Sequence, residues 1–449
     1  MRRRALVLGT GRSGRAAARL LVSQGWQVVL ADEDDRVDGV RLQRELGDGT
    51  EVCTGCHDLP SGPFELAVIS PGFKRSHRWL EGLQRRRTPL VGELELGWRH
   101  IRGPVIAVTG SNGKSTAVQW IAAALREAGR SPRIAGNFEQ GPALCEGVLT
   151  SPWADPWVIE VSSFQLEHSH RLRAEAALIL DIHPNHLDRH GTVDEYVRIK
   201  LRLAQAVVPG GVLVVPESLR QRVRALYGGK TVSFGSDSEP AEFICSNGMV
   251  VRRSGEEAVS LAGTQWDDAV RGRGAAGVIA LLAEMGVGCR EAVDVFRRMP
   301  RLPHRGVEVG VFGGIRVVDD SKATNVAAAV AALRGTGQRI RWIAGGRPKQ
   351  SSFAELREHV SGRVAAAYCY GEAAGLLERD LAGSVPVRAF TSFSDAVTAA
   401  WEDARPGETV LLAPACTSLD QFPDFAERGR AFAQLVKKLA KEVRKWETE

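Results

Sequence analysis

Short apolar runs rich in β-branched residues alternate with longer amphipathic stretches along most of the chain. The clearest runs read RALVLG, WQVVLAD, FELAVISPG, VIAVTG, WVIEVSS, AALILDIHP and GVLVVP, and later ones read IRVVDDS, IRWIAGG, VAAAYCYG and TVLLAPA. Buried strands that alternate with helices build βαβ units, whose strands are parallel. The pattern therefore predicts an α/β protein with parallel sheets.

Two changes in this alternation divide the chain into three blocks. Residues 1–98 open with a strand, a loop and a helix, and residues 99–302 open with a loop that contains a Gly-Lys pair. Residues 303–449 follow a proline-containing stretch, RMPRLPHRGVE, which suggests a linker. We predict one domain for each block, because the chain is long enough for about three.

Composition and charge limit the classes of function. Hydrophobic residues make up 44% of the chain and charged residues 25%, which is ordinary for a globular protein. The net charge of +6 is a small excess that suits anionic small molecules and gives no argument for nucleic acid. No run approaches the roughly 18 apolar residues of a membrane span. We therefore expect a cytoplasmic protein that binds neither membrane nor nucleic acid.

The seven cysteines are scattered along the chain. Cys53 and Cys56 form a lone C-x-x-C pair, without a second pair at the spacing of a zinc site. A redox or metal centre is the alternative interpretation, but we expect two ordinary thiols.

The first block contains a glycine-rich loop of the G-x-G-x-x-G type. Gly9, Gly11 and Gly14 follow a strand and open a helix, where a diphosphate can approach the backbone at the helix N-terminus. Asp32 ends the next strand, at the position where a ribose hydroxyl is commonly held. Taken alone, the motif suggests a nicotinamide cofactor, but it binds diphosphates generally, and a plain tight turn is the alternative.

The second block opens with VIAVTGSNGKST, which has the order strand, loop and helix of a phosphate-binding loop. The full pattern requires a glycine five residues before the Gly-Lys pair, where this chain has Val108. Lys114 could contact the β- and γ-phosphates of ATP, and Ser115 or Thr116 could supply a hydroxyl to Mg²⁺. We therefore predict an ATP-binding loop of variant form.

Polar residues follow two later strands of the second block. Glu160 lies in an apolar run, where a carboxylate near a phosphate loop is a natural Mg²⁺ ligand, although an edge-strand glutamate facing water is the alternative. The stretch DIHPNHLDRHG after AALIL concentrates acidic and histidine side chains at a strand end, which predicts a ligand crevice. His186 belongs to this stretch, whereas Lys200 by itself resembles a surface lysine.

The third block carries two similar stretches, VVDDSKATN and APACTSLDQFPDFAERGRAF. Their polar residues suit an anionic substrate and the γ-phosphate end of a nucleotide. Turn and capping duties are the alternative for the serines, threonines and aspartates.

In this order, the motifs resemble those of the Mur ligase family of peptidoglycan synthesis. The resemblance covers nearly the whole chain and rests on TGSNGKST, EVSSFQLE, NHLDRHG, LPHR, DDSKATN and SLDQFPDFAERG. It implies an α/β fold of three domains: a Rossmann-like N-terminal domain that binds the UDP part of the substrate (1–98), a central P-loop-type ATPase sheet (99–302) and a Rossmann-like C-terminal domain that binds glutamate (303–449). The ATP loop of this family is shorter than the full P-loop, which accounts for Val108.

The resemblance also implies a reaction. ATP would activate the carboxylate of UDP-N-acetylmuramoyl-L-alanine as an acyl phosphate, and the amine of glutamate, with D-glutamate expected, would displace phosphate. The implied cofactors are ATP, two Mg²⁺ ions and a carbamylated Lys200, and a monomer is expected. Ligation of L-glutamate and a folylpolyglutamate-synthetase-like activity remain alternatives. A nicotinamide oxidoreductase would leave the Gly-Lys loop unexplained, and the retained polar residues argue against a non-catalytic relative.

The family roles carry over to the matching positions of this sequence. The catalytic residues implied are Lys114, Glu160, His186, Lys200 and Lys322. The ATP-binding residues implied are Gly110, Ser111, Asn112, Gly113, Lys114, Ser115, Thr116, Arg305, Asp320 and Asn325. The substrate-binding residues implied are Gly9, Gly11, Gly14, Asp32, Ser70, Asn137, Ser162, Thr324, Lys349, Ser418 and Phe425. The metal ligands implied are Ser115, Thr116, Glu160, His186 and Lys200.

Three stretches depart from the family pattern. The adenine segment reads LAGTQWDDA, with Gln265, Trp266 and Ala269 at its polar positions, and we expect Trp266 to stack on the base. The turn near the phosphates reads AGNFEQG, where Phe138 and Glu139 are unusual. The N-terminal stretch LADEDDR lacks the Thr-Arg pair that often follows its acidic residue, which puts the contacts to uracil in doubt.

Overall fold

A computed structural model describes residues 3–254, 257–267, 271–337, 339–349 and 352–446. Its strands are β1 (Arg4–Leu8), β2 (Gln27–Ala31), β3 (Thr50–Cys53), β4 (Leu66–Ile69), β5 (Leu90–Gly92), β6 (Val105–Thr109), β7 (Arg133–Gly136), β8 (Trp157–Glu160), β9 (Ala174–Ile179), β10 (Val207–Pro216), β11 (Lys230–Ser236), β12 (Phe243–Ser246), β13 (Met249–Arg252), β14 (Ala258–Ser260), β15 (Val307–Phe312), β16 (Ile315–Asp319), β17 (Ile340–Gly345), β18 (Val364–Tyr370), β19 (Val387–Phe390) and β20 (Thr409–Ala415).

Its helices are α1 (Arg12–Ser23), α2 (Gly39–Leu46), α3 (Arg78–Arg85), α4 (Glu93–Trp98), α5 (Lys114–Glu127), α6 (Leu144–Thr150), α7 (Ser163–Glu167), α8 (Leu187–His190), α9 (Val193–Gln205), α10 (Glu217–Arg224), α11 (Arg271–Glu284), α12 (Cys289–Arg298), α13 (Val326–Thr336), α14 (Arg357–Val360), α15 (Ala374–Leu381), α16 (Phe393–Glu402) and α17 (Phe425–Trp446). Every apolar run that the sequence singled out forms a strand, and the predicted α/β class is confirmed.

The first sheet has the strand order β3-β2-β1-β4-β5, and its neighbouring strands are parallel. The order reverses at β1, which pairs with β2 on one side and β4 on the other. Loops at the carboxyl ends of strands diverge at such a switch point and leave a crevice. The glycine-rich loop of residues 9–14 follows β1 and therefore faces this crevice.

The central sheet has the order β14-β13-β12-β11-β10-β9-β6-β8-β7. Its strands are parallel from β7 to β12, and β13 and β14 add an antiparallel edge that the apolar pattern did not predict. All five residues of β6 are buried, and β8 and β9 flank this strand within the sheet. The Gly-Lys loop after β6 and Glu160 at the end of β8 consequently meet at one edge of the sheet.

The third sheet has the order β15-β16-β20-β17-β18-β19. Its strands are parallel except for β15, which pairs antiparallel with β16. The stretch DDSKATN follows the end of β16, and APACTSLD spans the end of β20. Because β16 and β20 are neighbours, these two polar stretches lie at the same edge.

The described residues pack into two compact units. The first unit holds residues up to Ile182 together with Asp194–Arg298, and therefore contains the first two sheets. Within this unit α1 and α4 pack against α6, so that the first and second predicted domains share an apolar core. The second unit holds His183–Val193 and the chain from Met299 onward, with the third sheet. The boundaries at residues 98 and 302 stay a prediction.

The expectation of two free thiols in the C-x-x-C pair is wrong. Cys53 and Cys56 are joined by a disulfide, with their Cα atoms 6.2 Å apart, a separation that a disulfide can span. A turn through Gly55, whose φ of +68° favours glycine, brings the chain back after β3. This turn geometry, which the cysteine spacing alone does not reveal, brings the two sulfur atoms together.

No helix in the described part of the chain combines the length and the apolar character that crossing a membrane requires.

Candidate active site

A cavity of about 920 Å³ opens in the first unit at the switch point of the first sheet. Its walls include five of the predicted substrate residues, which are Gly9, Gly11, Asp32, Ser70 and Asn137. A cavity of this volume is typical of small-molecule sites. The structure therefore brings together residues from the glycine-rich loop, from the ends of β2 and β4, and from the turn after β7.

Asp32 is held in place by the loop that it faces. The backbone N–H and the hydroxyl of Thr10 both donate to Asp32 Oδ2, at 2.8 and 2.7 Å, and the backbone N–H of Asp34 donates to Oδ1 at 3.1 Å. Each carboxylate oxygen can accept further hydrogen bonds. Asp32 is thus oriented to accept hydrogen bonds from a hydroxyl in the cavity.

A cluster that the motifs did not indicate lines the same cavity. Glu33 accepts hydrogen bonds from His77 Nε2 at 2.9 Å and from Arg78 Nε at 3.1 Å. These hydrogen bonds, the one from His77 first, hold the pKa of Glu33 below its usual value. Glu33 and the following aspartate occupy the positions of the missing Thr-Arg pair, so that an anion replaces the expected cation there.

The Gly-Lys loop is closely packed against its surroundings. A Cβ atom at Gly110, where φ is +149°, would lie 2.6 Å from the Cβ of Leu180, and Gly113 has a φ of +79°. Both conformations favour glycine. Lys114 Nζ donates to the carbonyls of Gly110 and Ser111 at 3.0 and 3.1 Å. The loop therefore curls around its own lysine and holds the ammonium group at its carbonyls.

Glu160, the last residue of β8, is hydrogen-bonded to Asn137 in the turn after β7. Asn137 donates from its backbone N–H to the carbonyl of Glu160 at 2.8 Å and from Nδ2 to Glu160 Oε1 at 2.9 Å. Glu160 is 2% exposed, and its Oε2 atom has no hydrogen-bond partner among the described residues. A buried carboxylate oxygen without a partner is costly unless a cation or a ligand satisfies it. This oxygen therefore fits a metal ion.

Lys200 is buried, contrary to its appearance in the sequence. Its side chain is 1% exposed and its Nζ donates to the carbonyl of Gly110 at 2.8 Å. Burial lowers the pKa of Lys200 well below its ordinary value, the charge of Lys114 lowers it further, and Glu160 acts in the opposite direction. The structure thus places this amine beside the phosphate loop in an environment that favours its neutral form.

Ser162 has a local role in the structure. It forms a capping box with Gln165 at the start of α7, in which its Oγ accepts from the backbone N–H of Gln165 at 3.2 Å. The hydroxyl of Ser162 therefore stabilises the start of α7, and its predicted contact with substrate stays a prediction.

The Trp266 ring lies in a buried aromatic cluster. It is 6% exposed, and it meets Trp120 and Phe296 edge to face, with ring centroids 5.9 and 5.5 Å apart. A Cβ atom on Gly113 would lie 3.3 Å from the ring. This burial argues against the predicted stacking on adenine, because little of the ring is accessible. Trp266 instead packs against Gly113 of the Gly-Lys loop. Ala269 lies outside the described residues.

In the second unit, Lys322 and Phe425 are in contact. Lys322 Nζ lies 3.6 Å from the centroid of the Phe425 ring, and Lys349 Nζ donates to Thr324 Oγ1 at 3.5 Å. Lys322 and Thr324 follow β16 and Lys349 follows β17, so that these side chains belong to loops at the carboxyl ends of strands of the third sheet. Such a group suits a ligand with carboxylates.

A buried arginine that the sequence analysis missed links the two polar stretches of the second unit. Arg428 is 0% exposed and donates to Ser321 Oγ and the Ser321 carbonyl at 3.0 and 2.9 Å, and to the Cys416 carbonyl at 3.2 Å. It therefore fixes the loop after β16 relative to the loop after β20, where Ser418 is 3% exposed. Arg428 lies within the stretch SLDQFPDFAERG, on which the family resemblance rests, but the resemblance assigned no role to it.

Two of the residues predicted to contact the nucleotide, Asn325 and Asp320, make hydrogen bonds within the second unit. Asn325 caps α13, since its Oδ1 accepts from the backbone N–H of Ala328 at 2.9 Å. Asp320 is 7% exposed, and its backbone N–H donates to the carbonyl of Leu412 at 2.8 Å. Arg305 precedes β15. His186 begins α8 with a φ of +56° and belongs to the second unit. The roles predicted for these four residues stay predictions.

Comparisons with known proteins agree with these features. The model of the Mur ligase middle domain matches residues 108–272, and that of the glutamate ligase domain of Mur ligases matches residues 304–416. A UDP-N-acetylmuramoylalanine–D-glutamate ligase of Pelotomaculum thermopropionicum is 35% identical over 98% of both chains. An enzyme of the same name from Acidobacterium capsulatum is 34% identical over 97% of this chain and 96% of its own.

Solved structures share the fold at lower identity. The UDP-N-acetylmuramate–alanine ligase MurC of Thermotoga maritima superposes with a TM-score of 0.62 at 14% identity, covering 98% of this chain and 100% of its own. The MurF ligase of Thermotoga maritima, solved in complex with ADP, gives a TM-score of 0.61 at 15% identity and covers 98% of both chains. The full-length relatives and the two matching domain models together show that this chain belongs to the Mur ligase family.

Proposed function

We propose that the protein joins D-glutamate to UDP-N-acetylmuramoyl-L-alanine in an ATP-dependent reaction of peptidoglycan synthesis. The observation that carries the proposal is the pairing of a cavity of about 920 Å³ beside the glycine-rich loop with a separate lysine-containing loop in the same unit. Two phosphate sites in one unit suit a nucleotide-linked substrate and ATP. The names of the relatives supply the identity of the amino acid.

The reaction divides into two steps. In the first, a carboxylate oxygen of the substrate attacks the γ-phosphorus of ATP, an O–P bond forms, and ADP leaves with the electrons of the broken bond. In the second, the amine of glutamate attacks the acyl carbon, the C–O bond to phosphate breaks, and the nitrogen loses a proton. The reacting groups are anionic, so that catalysis depends on alignment and charge neutralisation.

The residues of the first unit have roles that follow from their positions. Lys114 and the loop of residues 110–116 would hold the phosphates of ATP. Ser115, Thr116 and Glu160 would hold one Mg²⁺, and the unpartnered Glu160 Oε2 supports this assignment. When bound, Mg²⁺ supplies positive charge to the phosphate oxygens. Lys200 is the residue of this unit that would contribute to holding a second ion.

Lys200 would bind the second ion after conversion to a carbamate. Its lowered pKa supports this role, because only the neutral amine attacks CO₂. In that step the neutral amine forms a C–N bond with CO₂, one C–O π bond of CO₂ opens, and the nitrogen loses one proton, so that a neutral amine becomes a carbamate anion. Incubation with ¹³C-labelled bicarbonate should give a carbamate carbon signal in the wild type that is absent in Lys200→Met. A wild type without this signal would contradict the modification.

In the second unit, Lys322, Lys349 and Thr324 would receive the carboxylates of glutamate, with Ser418 and Phe425 beside them. The geometry that supports this assignment is the contact of Lys322 with Phe425 and of Lys349 with Thr324. Two cations in loops at the carboxyl ends of this sheet suit an amino acid that carries two carboxylates. Asp320, Asn325 and Arg305 would contact the nucleotide.

The experiment supplies the purified protein with ATP, Mg²⁺, UDP-N-acetylmuramoyl-L-alanine and either D- or L-glutamate, and measures phosphate release and the mass of the product. We expect phosphate and an amide product in equal amounts with D-glutamate. Product with L-glutamate alone would favour the alternative isomer, and no product with either would contradict the proposal. Lys114→Ala should abolish release, whereas Lys230→Ala, at an exposed lysine paired with Glu284, should not.

A further inference from the structure

Arg12 connects the first sheet to the turn that carries Asn137. It is the first residue of α1 and lines the cavity of the first unit. Its Nη1 atom donates to the carbonyls of Glu139 and Gly141 at 3.2 and 3.0 Å. Its Nη2 atom lies 3.4 and 3.3 Å from the carbonyls of Gly136 and Phe138. One guanidinium thus contacts four carbonyls of a single six-residue turn.

This turn is also the part of the chain that positions Glu160. Asn137 donates twice to Glu160, once from the backbone and once from the side chain. A Cβ atom on Gly136 would lie 2.4 Å from the carbonyl oxygen of Glu160, so the turn sits directly against the end of β8. Any displacement of residues 136–141 would therefore move the amide of Asn137 away from the Glu160 carboxylate.

Arg12 also lines the cavity of the first unit, where the nucleotide diphosphate is proposed to bind. Gly9, Gly11 and Asp32 share the cavity with Arg12, and the N-terminus of α1 adds the partial positive charge of the helix dipole. An anionic diphosphate in this cavity would be attracted to Arg12. One side chain is consequently in reach of the ligand on one side and of the Asn137 turn on the other.

We propose that Arg12 is a positioning residue that couples occupation of this cavity by the nucleotide diphosphate to the placement of Asn137 and Glu160. The inference rests on the proposed function for the identity of the ligand, although the contacts of Arg12 with the turn do not. The proposal also assigns a contact to the unusual AGNFEQG turn, because four of its backbone carbonyls lie close enough together to accept hydrogen bonds from one arginine.

The planar fork of arginine suits this task better than lysine. A guanidinium has five N–H donors fixed in a plane, and here two of its nitrogens contact different carbonyls of the turn. A lysine ammonium is a point charge with three donors on one nitrogen. A lysine at this position would keep the positive charge but could not contact all four carbonyls of the turn at once. The Arg12→Lys variant therefore separates the charge of the residue from its geometry.

Hydrogen exchange in the free protein tests the structural half of the proposal without any substrate. The amides of Asn137 and Gly141 are hydrogen-bonded and report on opening of the turn. Arg12→Met should raise their exchange rates about tenfold, because hydrogen bonds from a charged donor are lost. Arg15→Met, at an exposed arginine of the same helix that pairs with Glu45, should leave them unchanged. Unchanged exchange in Arg12→Met overturns the proposal.

A double-mutant cycle on kcat tests the catalytic half. Arg12→Met and Arg12→Lys should each lower kcat about tenfold, and Arg12→Met combined with Asn137→Ala should fall within about twofold of Asn137→Ala alone. Effects that multiply would mean that Arg12 acts independently of Asn137 and would overturn the coupling. A wild type without any ligation would contradict the proposed function, and the exchange experiment would still decide whether Arg12 holds the turn.

Discussion

Gly14 lies on the first turn of α1, directly above the carbonyl of Gly9. A methyl group at Gly14 would lie 1.7 Å from the Gly9 oxygen and 3.0 Å from Ser70 Oγ, whereas ordinary contacts begin at 3.4 Å. Gly14→Ala must therefore push the loop and the helix apart by roughly 1.5 Å. The loop cannot yield easily, because Gly9 has a φ of +98° and donates to the Ala31 carbonyl at 2.8 Å.

Overpacking of this kind lowers the free energy of unfolding by about 1–3 kcal/mol. We expect the upper end of that range because the added methyl group would clash with the backbone oxygen of Gly9, which cannot move away by a change of side-chain rotamer. Gly14→Ala should melt several degrees lower than the wild type and bind UDP at least about tenfold more weakly by calorimetry, since an atomic displacement of this size disrupts a binding loop. Gly11→Ala is the matched control for stability, because a Cβ there meets nothing within 4 Å in the described part of the chain. Wild-type melting and wild-type affinity in Gly14→Ala would refute the reasoning.

Three further predictions concern buried side chains. Glu160→Gln keeps the acceptor for Asn137 but removes the charge of the unpartnered oxygen, and should lower the rate of phosphate release on the order of a hundredfold; an unaltered rate and Mg²⁺ dependence would contradict the metal assignment. Trp266→Ala should cost about 3–5 kcal/mol in chemical denaturation, because the ring is buried, whereas Trp153→Ala, at a ring that is 61% exposed, should cost little. Glu93 is fully buried, and burial raises its pKa in the folded protein. Between the pKa of the unfolded chain and the pKa of the folded protein, unfolding releases a proton from Glu93, so the free energy of unfolding falls as the pH rises through this range. Glu93→Gln should therefore gain in melting temperature over the wild type as the pH rises, and equal pH profiles would contradict this.

The strands and the loops that follow them were predictable because their signals are local. An apolar run that ends in glycines, as at Gly9 and at Gly110, encodes both a buried strand and a turn that requires positive φ angles. The antiparallel edge strands β13 to β15 were missed because short half-buried segments carry little periodicity.

The burial of Lys200 was missed although the sequence contained a signal. Tyr196, Lys200 and Leu203 lie at i, i+4 and i+7 on one face of α9, and all three are buried. Helical periodicity would have placed the lysine on the apolar face, where a buried amine is expected to have a function.

The role of Arg12 could not be predicted from the sequence. The glycine motif permits any residue at this position, and the carbonyls that Arg12 contacts lie 124 to 129 residues away along the chain. The same holds for Arg428, whose partner Ser321 is 107 residues distant. Contacts of this separation are set by the packing of sheets and helices, which no local pattern records.

The transfer of oxygen from substrate to phosphate tests the central claim most directly. UDP-N-acetylmuramoyl-L-alanine labelled with ¹⁸O in its carboxylate is incubated with the protein, ATP, Mg²⁺ and D-glutamate, and the released phosphate is analysed by mass spectrometry. If the carboxylate attacks the γ-phosphorus, each phosphate released during amide formation carries one labelled oxygen. Amide formation with unlabelled phosphate would contradict activation of the substrate as an acyl phosphate.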